Sequence, residues 1–126
     1  MSPPDMTLPI MAAISDKHLE LLNVVRPISF DNLTLTFEKP NFEKFKMLKL
    51  AVDVLEKKGS YPIAYNAANE VAVEAFINGE ISFDDISRVT DYVLSFDFSI
   101  PSMNFEMVCD NDTHARMLAK EAICKL

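Results

Sequence analysis

Residues 66–76 read NAANEVAVEAF, and this run constrains the fold more than any other part of the chain. Ala64, Ala67, Ala68, Val71, Ala72, Ala75 and Phe76 recur at steps of three and four, which places them on one face of a helix. Nearly all of that face is alanine. Bare methyl groups bury little area alone, but they let a second helix approach at short range, so the element belongs in the middle of a bundle. The spacing predicts a helix over residues 63–78, closed by Gly79.

Three more amphipathic segments surround it. Asn41 stands where a cap is needed, followed by a stripe of Phe45, Leu48, Ala51, Val52 and Leu55 and a stop at Gly59. Ser82 caps the next, with Asp84 and Asp85 at the positive end of the helix dipole and Phe83, Ile86, Val89, Val93 and Leu94 as its apolar face. The last is expected to begin at Asp110 or Asp112 and carries Ala115, Leu118, Ala119, Ala122 and Ile123. Before it, residues 99–101 form a loop and residues 104–109 a short helical turn. Four helices with short links predict a mainly α protein, a small antiparallel four-helix bundle. The composition agrees: no tryptophan, two glycines and seven methionines in 126 residues favour helix over turn-rich β classes.

The first forty residues differ in character. Prolines at 3, 4, 9 and 27 allow only short helices, at residues 10–14 and 17–22. Residues 33–37, LTLTF, alternate in the period-two manner of a half-buried strand. Its N–H and C=O groups need a mate, which must come from residues 28–30 or from another sheet. Apolar but interrupted, this segment resembles part of something larger. The division expected is a proline-rich linker with a short β-strand over residues 1–40 and a helical bundle over 41–126.

Charge narrows the function. The net charge is −7, and residues 66–112 hold ten acids against Arg88 alone, a surface that repels phosphate backbones and disfavours nucleic acid. Basic residues gather between Lys39 and Lys58 but alternate with Glu43, Asp53 and Glu56, as on a solvated face. Cys109 and Cys124 lack metal-ligand spacing and are expected as reduced thiols in an intracellular protein. No apolar run approaches the roughly 18 residues of a membrane span, and the N-terminus has no signal-peptide pattern, so a soluble protein is expected.

Few residues invite chemistry. Residues 110–114, DNDTH, begin like a calcium loop with Glu121 at the twelfth position, but Ala115 occupies the glycine position and Leu118 cannot ligate, so helix capping is preferred. His18 and His114 have no partner at zinc spacing. Gly59 and Gly79, the two glycines, cannot make a glycine-rich phosphate cradle. Asn66, Asn69, Glu70 and Glu74 are the polar members of the alanine-faced helix. They read either as a polar site in the bundle or as structural cross-links with the glutamates facing water; the second is preferred because Asn competes for backbone groups near helix starts.

Several stretches, in order, resemble the C-terminal part of 1-deoxy-D-xylulose 5-phosphate reductoisomerases: PPDM with LPI near the start, LTLTFEKPNFEKFKMLKLA, NAANEVAVEAF, INGEISFDDISRV and the closing DNDTHARMLAKEA. The resemblance implies an NADPH-dependent oxidoreductase requiring Mg2+ or Mn2+. It rearranges the carbon skeleton of its substrate and then transfers a hydride, giving 2-C-methyl-D-erythritol 4-phosphate in non-mevalonate isoprenoid synthesis. It further implies a homodimer, in the bacterial cytoplasm or in a plastid. Residues 1–40 would then be the end of the catalytic domain and a linker, with Pro4 and Met6 as apolar wall beside the nicotinamide; Thr7 stands where the family places a basic residue. The family's dinucleotide fingerprint, its metal-binding Asp-Ser-Glu and its Asn-Lys-x-x-Glu have no counterpart here. The resemblance therefore assigns no catalytic, metal-binding or cofactor-phosphate residue to this chain, and implies an architectural role with the rest of the enzyme as partner. A stand-alone helical interaction module is the alternative.

Overall fold

The computed structural model describes residues 6–14, 31 and 34–126. They fall in two compact units, Met1–Glu38 and Lys39–Leu126. In the first unit, α1 spans Thr7–Ile14. It starts earlier than residue 10, because Pro9 lies in its first turn, where backbone N–H groups have no intrahelical acceptor and the missing donor costs nothing. Ile10 N–H donates to Met6 O at 3.2 Å. Residues 34–37 are exposed and carry no strand pairing among the described residues. Leu33, the expected helix at 17–22 and the possible mate at 28–30 lie outside those residues.

The second unit is the four-helix bundle: α2 (Lys46–Lys57), α3 (Tyr61–Ile77), α4 (Phe83–Leu94) and α5 (Phe105–Ile123). α3 packs on all three of the others, as its alanine face requires. Ala64, Ala67, Ala68, Val71, Ala72 and Ala75 are buried. Phe76 is the exception on that face: it sits at the rim, edge-to-face with Phe83 at 5.7 Å. Facing the alanines are Ile86, Val89, Val93 and Leu94 of α4 and Ala115, Leu118, Ala119 and Ala122 of α5, with Val54 from α2 and Phe98 from the α4–α5 loop completing the core.

Two boundaries and one apolar stripe differ from the sequence reading. α5 begins at Phe105, not at Asp110 or Asp112, because Asn104 caps it, its Oδ1 accepting from Met107 N–H at 2.8 Å. The expected turn at 104–109 is thus the helix's own first turn. Asn41 caps only a turn, accepting from Glu43 and Lys44 N–H at 3.0 and 2.9 Å, and α2 starts five residues later. The stripe of α2 also differs: Val54 is buried with Met47 and Leu50 packed beside it, whereas Leu48, Val52 and Leu55 face outward, Ala51 between them is half-buried and Phe45 is the N-cap before the helix.

Gly59 makes the α2–α3 turn possible. Its φ is +59°, and a Cβ there would lie 2.5 and 2.6 Å from the carbonyl oxygens of Ser99 and Phe98. The backbone of the α4–α5 loop runs directly over this turn, and Ser60 N–H donates to Phe98 O at 2.8 Å.

Candidate functional site

The polar residues of α3 meet α5 in a clasp. Asn66 and Glu70 lie one turn apart, and Asn66 Nδ2 donates to Glu70 Oε1 at 2.9 Å. From α5, Arg116 Nη2 reaches the other oxygen, Glu70 Oε2, at 2.5 Å. Arg116 is itself held by Asp112 one turn earlier, through Nε to Oδ2 at 2.7 Å and Nη2 to Oδ1 at 3.3 Å. Both carboxylates thus bind one planar guanidinium, whose fork fixes their directions. The hydrogen bond from Arg116, supported by Asn66 and by the guanidinium charge, holds the Glu70 carboxyl below its usual range. Asp112 first and Glu70 second raise Arg116. The clasp borders an open groove of about 550 Å³ lined by Pro62, Ile63, Val108, Cys109 and Thr113.

Asn69 goes elsewhere. It lines a separate groove of about 320 Å³ beside Met47 of α2, Val73 of α3 and Ile86 and Ser87 of α4, so the two asparagines do not share a site. Glu74 is exposed. Met6 is an exposed turn residue before α1, and Pro4 lies outside the described residues.

A second polar cluster escaped the sequence reading. Ser60 is fully buried, and its hydroxyl donates to Ile100 O at 2.6 Å and lies 2.9 Å from Ser102 Oγ. Asn111 Nδ2 donates to Ser102 Oγ at 3.1 Å and to Met107 O at 2.9 Å. These bonds pin the α4–α5 loop to the bundle. No motif announces them, since serine and asparagine are common in loops. Arg116 was also missed, although its spacing of four from Asp112 on a helical stripe is a usable signal.

Residues 110–114 lie inside continuous α5, which precludes a calcium loop there. His114 is exposed with its ring against Phe98. Among the described residues there is no group of three or more His, Cys, Asp or Glu placed to hold a metal ion. Gly59 is spent on close backbone packing, and Gly79 (φ +76°) ends α3. The described residues therefore offer no ligand set for a divalent cation, and no chemical step is assigned to them. Among them, too, no helix is long and apolar enough to cross a membrane.

What the geometry offers is a rigid, alanine-cored body clasped between α3 and α5. A family model, the DXP reductoisomerase C-terminal domain, matches residues 1–118. The chain belongs to this family. The reductoisomerase of Treponema denticola is 40% identical over 119 residues, covering 94% of this chain and 31% of that protein. That of Thermodesulfovibrio yellowstonii is 40% identical over 124 residues, covering 98% and 32%. The solved reductoisomerase of Zymomonas mobilis in complex with NADPH superposes with a TM-score of 0.80 at 31% identity, over 100% of this chain and 33% of that one. A DOX-P reductoisomerase in complex with NADPH, fosmidomycin and magnesium gives 0.71 at 30% identity, over 98% and 32%. The chain thus spans about a third of the length of the reductoisomerases it matches.

Proposed function

We propose that this chain is the C-terminal structural third of a 1-deoxy-D-xylulose 5-phosphate reductoisomerase. The whole enzyme would rearrange that substrate and reduce the product with NADPH, assisted by Mg2+ or Mn2+. The observation that carries the reading is the family match over residues 1–118, reinforced by superposition on solved reductoisomerases holding NADPH and magnesium. In this reading the cofactor and the metal are held by the rest of the enzyme. The bundle buttresses the catalytic domain, helping to exclude water and to fix loop geometry, contributions to rate that supply no acid, base or hydride.

The break between Glu38 and Lys39 supports a division near residue 40, with residues 1–40 as the end of the catalytic domain and linker and 41–126 as the bundle. Asn66 and Glu70 are structural in this account: both are engaged within the α3–α5 clasp. Asn69 is assigned the same class of role on the α2–α4 side. Pro4 and Met6 are assigned to the apolar wall of the nicotinamide pocket; the exposed, unbranched Met6 side chain suits such a wall. A homodimer in the bacterial cytoplasm, or in a plastid in a eukaryote, completes the proposal.

The test is NADPH oxidation with 1-deoxy-D-xylulose 5-phosphate and Mg2+. The chain alone is expected to give no turnover. Placed behind the preceding two-thirds of the Treponema denticola enzyme, in place of that enzyme's own matched third, it is expected to restore turnover. Turnover by the chain alone would remove the structural reading, and an inactive joined enzyme that folds and binds NADPH would remove the assignment of function.

A further inference from the structure

We infer that the outward flank of α2, formed by Leu48, Val52 and Leu55, is the surface on which the catalytic part of the reductoisomerase packs. The inference rests on the functional reading above and adds to it the face by which the bundle is held. Leu48, Val52 and Leu55 follow one another at steps of four and three, an apolar seam along the helix, while Phe45, its N-cap, borders the groove beside Asn69, Val73 and Ile86. Met47, Leu50 and Val54, which pack into the bundle, form a second seam offset by two residues. At 3.6 residues per turn the two seams lie about 160° apart. Ala51 falls between the two seams, so they are the flanks of one broad apolar arc, with Lys46, Lys49, Asp53, Glu56 and Lys57 on the remaining face. α2 packs on α3 and α4 through the first flank and leaves the second uncovered. Leu48 is 42% exposed, Val52 39% and Leu55 72%.

Length selects the occupant. The chain matches 31–33% of its relatives, so the largest body available to cover the seam in such an enzyme is the other two-thirds of the same polypeptide. A tethered partner needs far less area than a free one, because its effective concentration is already high. A seam of three side chains falls well short of the roughly 20–30 residues a side that a stable untethered interface uses.

The experiment compares alkylation by iodoacetamide, read peptide by peptide, in the Val52→Cys chain alone and in the same variant joined behind the preceding two-thirds of the Treponema denticola enzyme. Cys124, exposed on α5's C-cap, is the internal reference. In the chain alone, Val52→Cys is expected to react at a rate comparable to Cys124. In the joined enzyme its rate is expected to fall about tenfold or more while that of Cys124 holds. A second variant, Leu48→Glu with Leu55→Glu, is expected to leave the melting temperature of the chain alone unchanged and to lower that of the joined enzyme. Equal labelling of Val52→Cys in both forms overturns the inference. Because turnover is read separately, an active joined enzyme with an open Val52→Cys removes the docking face and leaves the function, and an inactive one with Val52→Cys protected does the reverse.

Discussion

Gly59 is the residue on which the bundle's geometry turns. Its φ of +59° is disfavoured for any side chain, and a Cβ would meet two backbone carbonyls, one of which, Phe98 O, accepts from Ser60 N–H. Phe98 O cannot retreat without breaking that bond. Gly59→Ala is therefore expected to cost about 2–4 kcal/mol, measured by urea unfolding of the chain, whereas Gly79→Ala, with nothing within 4 Å of the new methyl, carries only the strain of its φ. The clasp gives a second prediction at this scale. The Arg116 hydrogen bond keeps Glu70 ionised below its ordinary value of 4.5 in the folded chain. The unfolded chain then takes up that proton first as pH falls, so this contribution is present above the ordinary value and is lost as pH drops through the lower, folded one. Asp85, held down by the Ser82 hydroxyl, and Glu121, held down by Lys125, act in the same sense. Melting temperature should decline on acidification below about pH 4.5, and the decline should be shallower in Glu70→Gln. A slope unchanged in Glu70→Gln would remove the clasp from the acid response. At neutral pH the half-exposed pair is worth little, and Arg116→Ala should lower the melting temperature by only about 3–6 °C.

At the scale of the element, α2 and α3 show two ways of using apolar residues. α3 presents methyl groups to three neighbours at close range, and Ala68 and Ala72 are wholly buried. Enlarging either leaves nowhere for the added atoms, so Ala72→Leu is expected to destabilise by about 1–3 kcal/mol or more in calorimetry of the chain. α2 has spare apolar residues. Val54→Ala opens a cavity beside the core and should cost about 2 kcal/mol, while Leu55→Ala in the chain alone should stay within about 0.5 kcal/mol of the parent. Comparable losses for both would show that the inward seam of α2 had been misplaced. The sequence could not rank the two seams of this helix, since both fit a helical period; which one is inside depends on the neighbour. The cap of α5 shows the same limit. Asn104 and Asp110 are both good cap residues, and only the folded loop, pinned through Ser60, Ser102 and Asn111, shows that Asn104 holds the position.

At the scale of the molecule, charge is unevenly spread. Residues 59–126 hold eleven acids against four basic residues, and the clasps on Arg88, Arg116 and Lys125 absorb only part of that excess. Self-repulsion exceeds pairing, so moderate salt is expected to raise the melting temperature by a few degrees, a sign opposite to that of a protein held by its surface ion pairs. A fall with added salt would give the clasps the larger share. The alanine stripe, its length and its stop at Gly79 were sufficient for a central helix, because a face of methyl groups has one stable use, close approach to other helices. Ser82 with its acids and the Ala115–Ala122 stripe likewise fixed two of its neighbours from local chemistry, and the quoted segments were specific enough to indicate the family. Tertiary structure alone decided the rest: which seam of α2 faces inward, where α5 begins, why Gly59 can carry no side chain, and that Glu70 answers Arg116 across 46 residues of chain. Each of these depends on a group distant in sequence, and local periodicity carries no information about which distant group arrives.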